Sequence, residues 1–208
     1  MLIAFALLII AAIYWRPRSF PSLSPAGPDA ESAVAHLCEH AGVPDRDWRY
    51  VVIHHSATGS GGAAAFERYH VYVQKWDSLG YDFVIGNGTQ TGDGEIEVGP
   101  RWRSQREGAH AGVAEYNDRG IGICLVGDFN VHTPTERQMS SLRLLADCLI
   151  QRYEIPPERV IGHRNCTGAA TDCPGRRFPL TELRASLHGD LRTGAGHGAP
   201  VAPAAPSR

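Results

Sequence analysis

The sequence predicts an α/β fold with a mixed central β-sheet of about five to six strands flanked by helices. Short apolar or β-branched runs alternate with segments of helical periodicity. The run over residues 120–126 is almost continuously apolar, which is typical of a central strand. The chain has 208 residues, of which 43% are hydrophobic and 20% charged, as in a soluble globular domain with some additional chain.

The first predicted elements are a helix, a strand and a second helix. Asp29 is suited to cap a helix that runs through Ala41, and Gly42 is suited to end it. Residues 50–54, Tyr-Val-Val-Ile-His, form a β-branched run that is typical of a buried strand. Residues 66–76 have helical spacing and predict the second helix.

Three further strands are predicted besides the central one. Residues 81–85 have strand character, and Ile96 and Val98 indicate a short strand after the Gly-Asp-Gly turn at residues 92–94. Residues 160–161 form a last short strand that leads directly into a Gly-His pair. These strands complete the predicted sheet.

The clearest helix is predicted over residues 134–153. Thr133 is in the N-cap position, Pro134 is suited to the first helical position, and Glu136 would complete a capping box. An apolar stripe with steps of three and four residues predicts the face that packs on the core. The stripe comprises Met139, Leu142, Ala146, Leu149 and Tyr153.

The N-terminal segment has a distinct composition. Residues 2–15 are uninterruptedly apolar or aromatic, which is shorter than the about 20 residues of a spanning helix and fits a signal-peptide core or a short anchor. A buried core helix is the alternative, but the Pro- and Ser-rich residues 16–28 follow at once. Arg16 and Arg18 favour a cytoplasmic C-terminal side, which conflicts with export and leaves the orientation open.

The domain boundaries follow from these composition changes. We expect a signal-like or membrane-anchor segment over residues 1–16 and a linker with a short helix over residues 17–45. The globular domain is expected over residues 46–188. Residues 189–208 are rich in Gly, Ala and Pro and are expected to be a disordered tail, since they cannot bury a core.

Charge and cysteine content restrict the classes of partner. The chain has 20 Lys and Arg against 22 Asp and Glu, so no nucleic-acid partner is expected, because neutralising phosphates needs many cations. Five cysteines leave at least one outside any internal disulfide. Cys38 and Cys166 could pair in an oxidising compartment, whereas Cys124 and Cys148 are expected to be small packing residues.

Three potential metal ligands stand at strand ends or in adjacent loops. His54 ends the first predicted strand, His163 follows the last one, and Cys173 lies ten residues beyond His163. Two imidazoles and one thiolate suit a catalytic zinc ion, which keeps a fourth position for water. The spacing alone is a weak signal, because the chain has ten histidines and satisfied surface histidines are the alternative.

Five sequence blocks in a fixed order carry a more specific signal. They are VVIHHSAT at 51–58, GYDFVI at 80–85, GAHAG at 108–112, GIGICLVGDF at 120–129, and GHR at 162–164 followed by TDCPG at 171–175. In this order the blocks resemble the zinc-dependent N-acetylmuramoyl-L-alanine amidases, the family that includes phage lysozyme-type amidases and peptidoglycan recognition proteins. The resemblance covers about residues 49–180.

The resemblance implies roles for individual residues. It makes His54, His163 and Cys173 the ligands of a Zn²⁺ cofactor. It places Tyr81 beside the water held by the metal, and Thr171 matches a position near the oxyanion. Tyr81 and Thr171 are therefore the expected catalytic side chains, since both can donate hydrogen bonds where negative charge develops.

Further positions match the substrate groove or depart from the family pattern. His110 and Asn117 match positions that line the glycopeptide groove. Some relatives carry a Glu in the central strand as general base, whereas this chain has Cys124 there and resembles the Tyr-using branch. The loop over residues 164–172 contains an additional Cys166, which could compete for the metal.

The resemblance implies a hydrolase that cuts the amide bond between N-acetylmuramic acid and L-alanine of the peptidoglycan stem peptide. The expected protein is a monomer, exported, periplasmic or membrane-anchored through residues 2–15, that acts on peptidoglycan or muropeptides in cell-wall degradation, remodelling or recycling. Two alternatives stay open. One is a non-catalytic peptidoglycan-binding module of the same fold, and the other is a hydrolase with Cys173 and His163 as a nucleophilic pair.

Several side chains have both a structural and a functional interpretation. His55 points to the opposite face of the strand from His54 and is expected to be structural. Arg101, Arg103 and Arg106 could form a solvated face or could meet the carboxylates of the stem peptide. Five other histidines are expected to be solvated. They are His40, His70, His132, His188 and His197.

Overall fold

The computed structural model describes residues 19–39 and 42–187. Within these residues, six strands form one mixed sheet with the spatial order β1-β4-β3-β5-β2-β6. Strands β2, β3, β5 and β6 pair in parallel, whereas β4 pairs antiparallel with β1 and β3. The strands are β1 (Ser22–Leu23), β2 (Tyr50–His55), β3 (Phe83–Ile85), β4 (Ile96–Val98), β5 (Gly120–Leu125) and β6 (Val160–Gly162).

Helices cover the sheet and fill the connections between strands. The longest helix, α5, has the predicted apolar stripe as its buried side. Helix α1 packs against α5. The helices are α1 (Ala30–Cys38), α2 (Ala63–Tyr72), α3 (Pro100–Arg103), α4 (Ala114–Arg119), α5 (Glu136–Arg152) and α6 (Leu180–Ser186), with short 3₁₀ turns at Pro157–Arg159 and His163–Asn165. The predicted α/β class with a mixed sheet of about five to six strands is confirmed.

Successive side chains of β2 point alternately to the core beneath α5 and to the opposite face of the sheet. Val51 and Ile53 lie in the main hydrophobic core, together with Leu149 of α5. Val52 lies in a separate buried cluster. His54 projects on the same side as Val52, because residues two apart in a strand share a face. The strand therefore presents His54 away from α5.

The N-terminus of α5 lies two residues later than predicted. Thr135 is the N-cap, and its Oγ1 accepts a hydrogen bond of 3.0 Å from Gln138 N. The Gln138 side chain returns the bond, because its Oε1 accepts from Thr135 N at 3.1 Å. The predicted cap at Thr133 with Glu136 was wrong. Gln138 Nε2 also donates to the buried carbonyl of Val126 at 2.9 Å. This long-range contact favours the capping box of Thr135 and Gln138 over the predicted one.

The two predicted N-terminal helices are shorter or shifted. Helix α1 ends at Cys38, and Ala41 lies outside the described residues. Helix α2 spans Ala63–Tyr72 instead of residues 66–76. The chain leaves the helical path before Trp76, because Lys75 adopts a positive φ of 63° and Trp76 N donates to the His70 carbonyl. The helical spacing in the sequence extends to Trp76, but the helix itself ends at Tyr72.

The terminal segments are only partly described. Part of the predicted linker is structured, since Ser22–Leu23 pairs antiparallel with β4 as an edge strand. The apolar residues 2–15 and the tail over residues 189–208 lie outside the described residues. Among the helices of the described part, none has the length and apolar character needed to cross a membrane.

The five cysteines are free thiols. The Cys38 side chain hydrogen-bonds that of Cys148, which links α1 to α5. Cys166 lies in a separate buried cluster with Ala111 and Tyr116. The structure therefore does not place Cys166 as the partner of Cys38. Cys124 is fully buried in β5, and Cys148 packs against the core, as predicted.

Candidate metal centre

Three donor side chains converge at the C-terminal ends of two neighbouring parallel strands. Ile53 of β2 is in register with Gly162 of β6, so His54 and His163 follow at the same level of the sheet. Cys173 reaches the same point from the following loop, and its Sγ lies 3.7 Å from His54 Nδ1. All three donor atoms lie within 4.8 Å of one another.

The loop that carries Cys173 is tied to β2 and to the segment after β6. Arg164 N donates to the Cys173 carbonyl at 2.7 Å, and His55 N donates to Cys173 Sγ at 3.4 Å. A Cβ at Gly162 would lie only 2.6 Å from Pro174 Cδ, so a glycine allows the loop to pack against the strand end. These contacts hold the thiol beside the two imidazoles.

The spacing of the three donors fits a single metal ion. Two ligands bound at about 2.0–2.3 Å in a tetrahedron lie roughly 3.5 Å apart, close to the separation of His54 and Cys173. Among the described residues, this donor cluster comprises His54, His163 and Cys173. Cys166 is buried in its own apolar cluster instead. The set could therefore hold a metal with three protein ligands.

The titration properties of the donors also suit a cation. Burial lowers the pKa of His54 well below its ordinary value, with His110 and His163 adding to the effect, and burial lowers the pKa of His163. Both imidazoles are therefore neutral at pH 7 and have a lone pair to offer. Burial raises the pKa of the Cys173 thiol to about 12. A bound cation would reverse that preference by stabilising the thiolate.

Two backbone carbonyls fix the orientation of imidazoles at the site. His163 Nε2 lies 2.9 Å from the Ala111 carbonyl, which can only accept, so Nε2 carries the hydrogen and Nδ1 is the free acceptor. His110 lies behind His54, with its Nδ1 3.0 Å from His54 Nε2. The other ring nitrogen of His110 lies 3.1 Å from the Gly120 carbonyl.

Tyr81 lies beside the donor cluster. Its ring centroid is 5.4 Å from that of His54, and its hydroxyl hydrogen-bonds Cys124. Burial, followed by the neighbouring Cys124 and Cys173, raises the pKa of Tyr81 well above its ordinary value. The hydroxyl therefore stays protonated and can donate a hydrogen bond. Tyr81 also lines a cavity of about 430 Å³ together with Phe66 and Tyr69.

Thr171 lies at the exposed rim of the Cys173 loop. Its Oγ1 accepts a hydrogen bond of 3.1 Å from Cys173 N, two residues further along the chain. That bond uses a lone pair and leaves the hydroxyl proton available to another acceptor. The side chain is therefore placed next to the candidate ligand with a donor to offer.

His110 and Asn117 belong to one hydrogen-bonded loop. Asn117 Oδ1 accepts from His110 N at 2.9 Å and from Ala111 N at 2.8 Å. His110 is 8% exposed, and protein atoms contact both of its ring nitrogens. Asn117 also lines a cleft of about 710 Å³. The predicted contacts of His110 and Asn117 with substrate stay predictions. The structure shows only their hydrogen bonds to other groups of the protein.

His70 is a buried residue near the site that the sequence pattern did not identify. We expected a solvated side chain, but His70 is 6% exposed and its Nδ1 accepts from Gly80 N at 3.0 Å. Its ring centroid lies 5.4 Å from that of Tyr81, and it lines the same cavity. The only signal in the sequence was the four-residue step from Phe66 to His70, which places both on one side of α2.

The arginine cluster divides between buried and exposed members. Arg101 is buried, donates to the carbonyls of Leu79 at 2.8 Å and Glu107 at 2.7 Å, and pairs with Asp77. Arg103 and Arg106 are exposed. The solvated-face interpretation was therefore wrong for Arg101, whose donors contact other parts of the protein.

The neighbouring histidine His55 is structural, as predicted. The residue is 8% exposed, and its Nδ1 accepts a hydrogen bond of 3.1 Å from Phe129 N. This bond lies on the opposite side of β2 from His54 and connects the strand to the segment after β5. His132 is exposed, whereas His40, His188 and His197 lie outside the described residues.

Comparison with known proteins identifies the family of this chain. The sequence model of the family described as N-acetylmuramoyl-L-alanine amidase matches residues 44–176. The chain belongs to this family. Peptidoglycan-recognition protein 2 of Holotrichia diomphalia is 33% identical over 136 residues, which cover 61% of this chain and 67% of that protein. The N-acetylmuramoyl-L-alanine amidase of Mus musculus is 34% identical over 113 residues, which cover 53% of this chain.

Solved structures of amidases and peptidoglycan recognition proteins have the same fold. The N-acetylmuramoyl-L-alanine amidase LysC from Clostridium intestinale is 30% identical with a TM-score of 0.56, and the match covers 67% of this chain and 85% of LysC. A tyrosine-to-phenylalanine variant of Drosophila PGRP-LB in complex with tracheal cytotoxin is 28% identical with a TM-score of 0.52, over 70% of this chain and 83% of that one. The chain spans only 17% and 19% of the pig and mouse amidases.

Proposed function

We propose that this protein is a zinc-dependent amidase that hydrolyses the bond between N-acetylmuramic acid and L-alanine of the peptidoglycan stem peptide. The observation that carries the proposal is the convergence of His54, His163 and Cys173, whose donor atoms lie within 4.8 Å of one another. Membership of the N-acetylmuramoyl-L-alanine amidase family and the names of the relatives support the choice of bond.

The three donors would hold the zinc ion. When bound, zinc would lower the pKa of a coordinated water and polarise the scissile carbonyl. His54 and His163 offer neutral Nδ1 atoms, and Cys173 gives up its thiol proton when a cation occupies the site. Hydrogen bonds from His55 N and Arg164 N hold the Cys173 loop against β2 and the segment after β6.

Two hydroxyl groups next to the ligands, those of Tyr81 and Thr171, would act on the substrate. Tyr81 keeps its proton at neutral pH because burial raises its pKa, so it can donate to the oxygen on which negative charge develops. Thr171 has a donor next to Cys173 and would stabilise the same oxygen or orient the carbonyl. The cavity beside Tyr81 would receive part of the substrate between Phe66 and Tyr69.

The thiol chemistry disfavours a nucleophilic role for Cys173. A cysteine nucleophile needs a lowered pKa to react as the thiolate, whereas burial raises the pKa of Cys173 to about 12. His163, the partner in that alternative, donates its Nε2 hydrogen to the Ala111 carbonyl. Metal binding by Cys173 is compatible with the same positions of Cys173 and His163, and it does not require a thiolate before the metal binds.

Turnover of a defined muropeptide tests the proposal. Purified full-length protein is incubated with an N-acetylmuramoyl-peptide, and the new amine of L-alanine is quantified with an amine-reactive dye. We expect release of one amine per sugar-linked stem peptide. Tight binding of the muropeptide without any amine release would identify a non-catalytic binding module instead.

We further propose that the domain acts on the wall side of the membrane, because peptidoglycan lies there, and that residues 2–15 direct or tether it. These residues are apolar throughout. Fractionation of cells that express the full chain, with protease accessibility of the domain from outside, tests this placement. A domain confined to the cytoplasm would contradict it.

A further inference from the structure

We infer that His110 is a positioning residue that fixes the tautomer of His54 and thereby aims the His54 Nδ1 lone pair at the metal centre. The inference rests on the proposed function only in naming that centre. The hydrogen bonds that carry it lie within the protein. They run from His54 Nε2 to His110 Nδ1 at 3.0 Å and from the other nitrogen of His110 to the Gly120 carbonyl at 3.1 Å.

The direction of this relay follows from its last member. The Gly120 carbonyl can only accept a hydrogen bond, so His110 Nε2 must carry a hydrogen. In a neutral imidazole the other nitrogen is then an acceptor, so His110 Nδ1 has the lone pair. His54 Nε2 must donate to it, which leaves His54 Nδ1 unprotonated and facing Cys173 Sγ at 3.7 Å.

The relay consists of neutral imidazoles, and the ring of His110 is enclosed by the protein. His110 is 8% exposed, and protein groups lie within hydrogen-bond distance of both of its ring nitrogens. A protonated His110 would point a second hydrogen at His54 Nε2 and would reverse the direction of the bond. The neutral ring is therefore the form that holds His54 in its ligand tautomer.

Two glycines create the space for the His110 ring. A Cβ on Gly108 or on Gly122 would lie 2.4 Å from His110 Cδ2, far inside van der Waals contact. Asn117 Oδ1 fixes the backbone of His110 by accepting from its N–H at 2.9 Å. The ring of His110 meets that of His54 edge-on, with centroids 4.9 Å apart at 76°. The Gly-Ala-His and Gly-Ile-Gly segments together form a slot for one imidazole.

The role of His110 differs from that of a ligand or a substrate contact. Partners that hydrogen-bond a ligand histidine orient the ring and select its tautomer, and their loss typically weakens metal binding by about 10–100-fold. The parallel contact of His163 Nε2 with the Ala111 carbonyl performs the same task with a backbone group. His54 has a second imidazole in that place because its Nε2 faces the Gly108–Gly122 slot.

The test compares His110→Asn with His110→Leu in the full chain. Asparagine retains an acceptor near the position of His110 Nδ1, whereas leucine has similar bulk and no acceptor. Long-range nitrogen–proton NMR spectra of the metal-free proteins report the His54 tautomer. We expect the Nε2–H form in the wild type and in His110→Asn, and a mixture of tautomers in His110→Leu.

Zinc affinity gives a second readout that does not depend on turnover. In competition with a chromophoric chelator, we expect His110→Leu to bind zinc about 10–100-fold more weakly, and His110→Asn to remain within about threefold of the wild type. Unchanged affinity and tautomer in His110→Leu would overturn the inference. If the leucine variant does not fold, an Nδ1–H tautomer of His54 in the wild type would overturn it equally.

The outcomes separate this inference from the proposed function. A wild-type protein with the expected tautomer and zinc affinity but no amidase turnover contradicts only the amidase proposal. The opposite result is a wild-type protein with amidase turnover and a His110→Leu variant that keeps the wild-type tautomer and zinc affinity. This result contradicts only the positioning role of His110.

Discussion

His54 Nδ1 lies 3.7 Å from Cys173 Sγ, although 119 positions separate the two residues along the chain. The strand register sets one side of this contact, because His54 follows the β2 residue that pairs with the end of β6. The loop contacts of Cys173 with His55 and Arg164 set the other side. The proximity is therefore a property of the fold, and the metal-site predictions depend on it.

Replacing the thiol tests its role as a ligand. We expect Cys173→Ser to lose bound zinc, with an affinity lower by at least about tenfold, because a neutral hydroxyl is a poor substitute for a thiolate. The measurement is zinc per protein after dialysis against a metal buffer. Cys166→Ser is the matched control, since Cys166 is also buried but lies in a separate apolar cluster. Equal zinc in wild type and Cys173→Ser would exclude Cys173 as a ligand.

Removing one hydroxyl separates metal binding from turnover. We expect Tyr81→Phe to keep the zinc content and to lower kcat by about 10²–10³-fold with a small change in KM, because the lost donor acts mainly on developing charge. Tyr153→Phe is the control, because Tyr153 follows the last residue of α5 and its hydroxyl donates to Asp45. A Tyr81→Phe enzyme with wild-type kcat, or one that has lost its zinc, would remove Tyr81 from the catalytic role.

The glycine of β5 that faces His110 should not tolerate a side chain. A Cβ at Gly122 would lie 2.4 Å from His110 Cδ2, so we expect Gly122→Ala to cost about 1–3 kcal/mol of unfolding free energy. Gly59→Ala is the matched control, because nothing lies within 4 Å of its Cβ position, and its effect should stay within about 0.5 kcal/mol. Denaturant unfolding compares the two, and equal stabilities would contradict the close packing.

Buried His70 should make the protein less stable in acid. Burial lowers its pKa to about 4 in the folded protein, against about 6.5 in the unfolded chain, so the unfolded chain binds more protons between these values. Its contribution is complete above pH 6.5 and is lost as the pH falls towards 4, by about 2–3 kcal/mol. The difference in unfolding free energy between wild type and His70→Asn should change by that amount over this range. Parallel pH profiles would show that His70 is not held neutral by the fold.

The sequence could predict the sheet and two of the three donors by position. Strand character at residues 50–54 and 160–161 placed His54 and His163 at strand ends, and parallel neighbours bring such ends together. Cys173 follows no strand directly, so its position ten residues beyond His163 was a weak signal, and the specific signal came from the family resemblance. Its approach depends on contacts between a loop and β2, which local patterns do not encode.

The remaining differences have a common physical reason. The cap of α5 shifted to Thr135 because Gln138 also reaches a carbonyl of the sheet. His70 became buried because α2 packs it against Gly80 and Tyr81. Each outcome depends on partners distant in sequence, whereas propensity and periodicity report only near neighbours. The same holds for the two partners of His110, which no motif identifies.

The most direct test of the amidase proposal is mass spectrometry of a purified muropeptide after incubation with the full-length protein. Three samples are compared: the zinc-loaded protein, the same protein after chelation, and the chelated protein with zinc restored. We expect an intact stem peptide with a free L-alanine amine and a separate N-acetylmuramic acid product in the first and third samples only. Cleavage at another bond, or cleavage that persists undiminished after zinc has been removed, would contradict the proposed function.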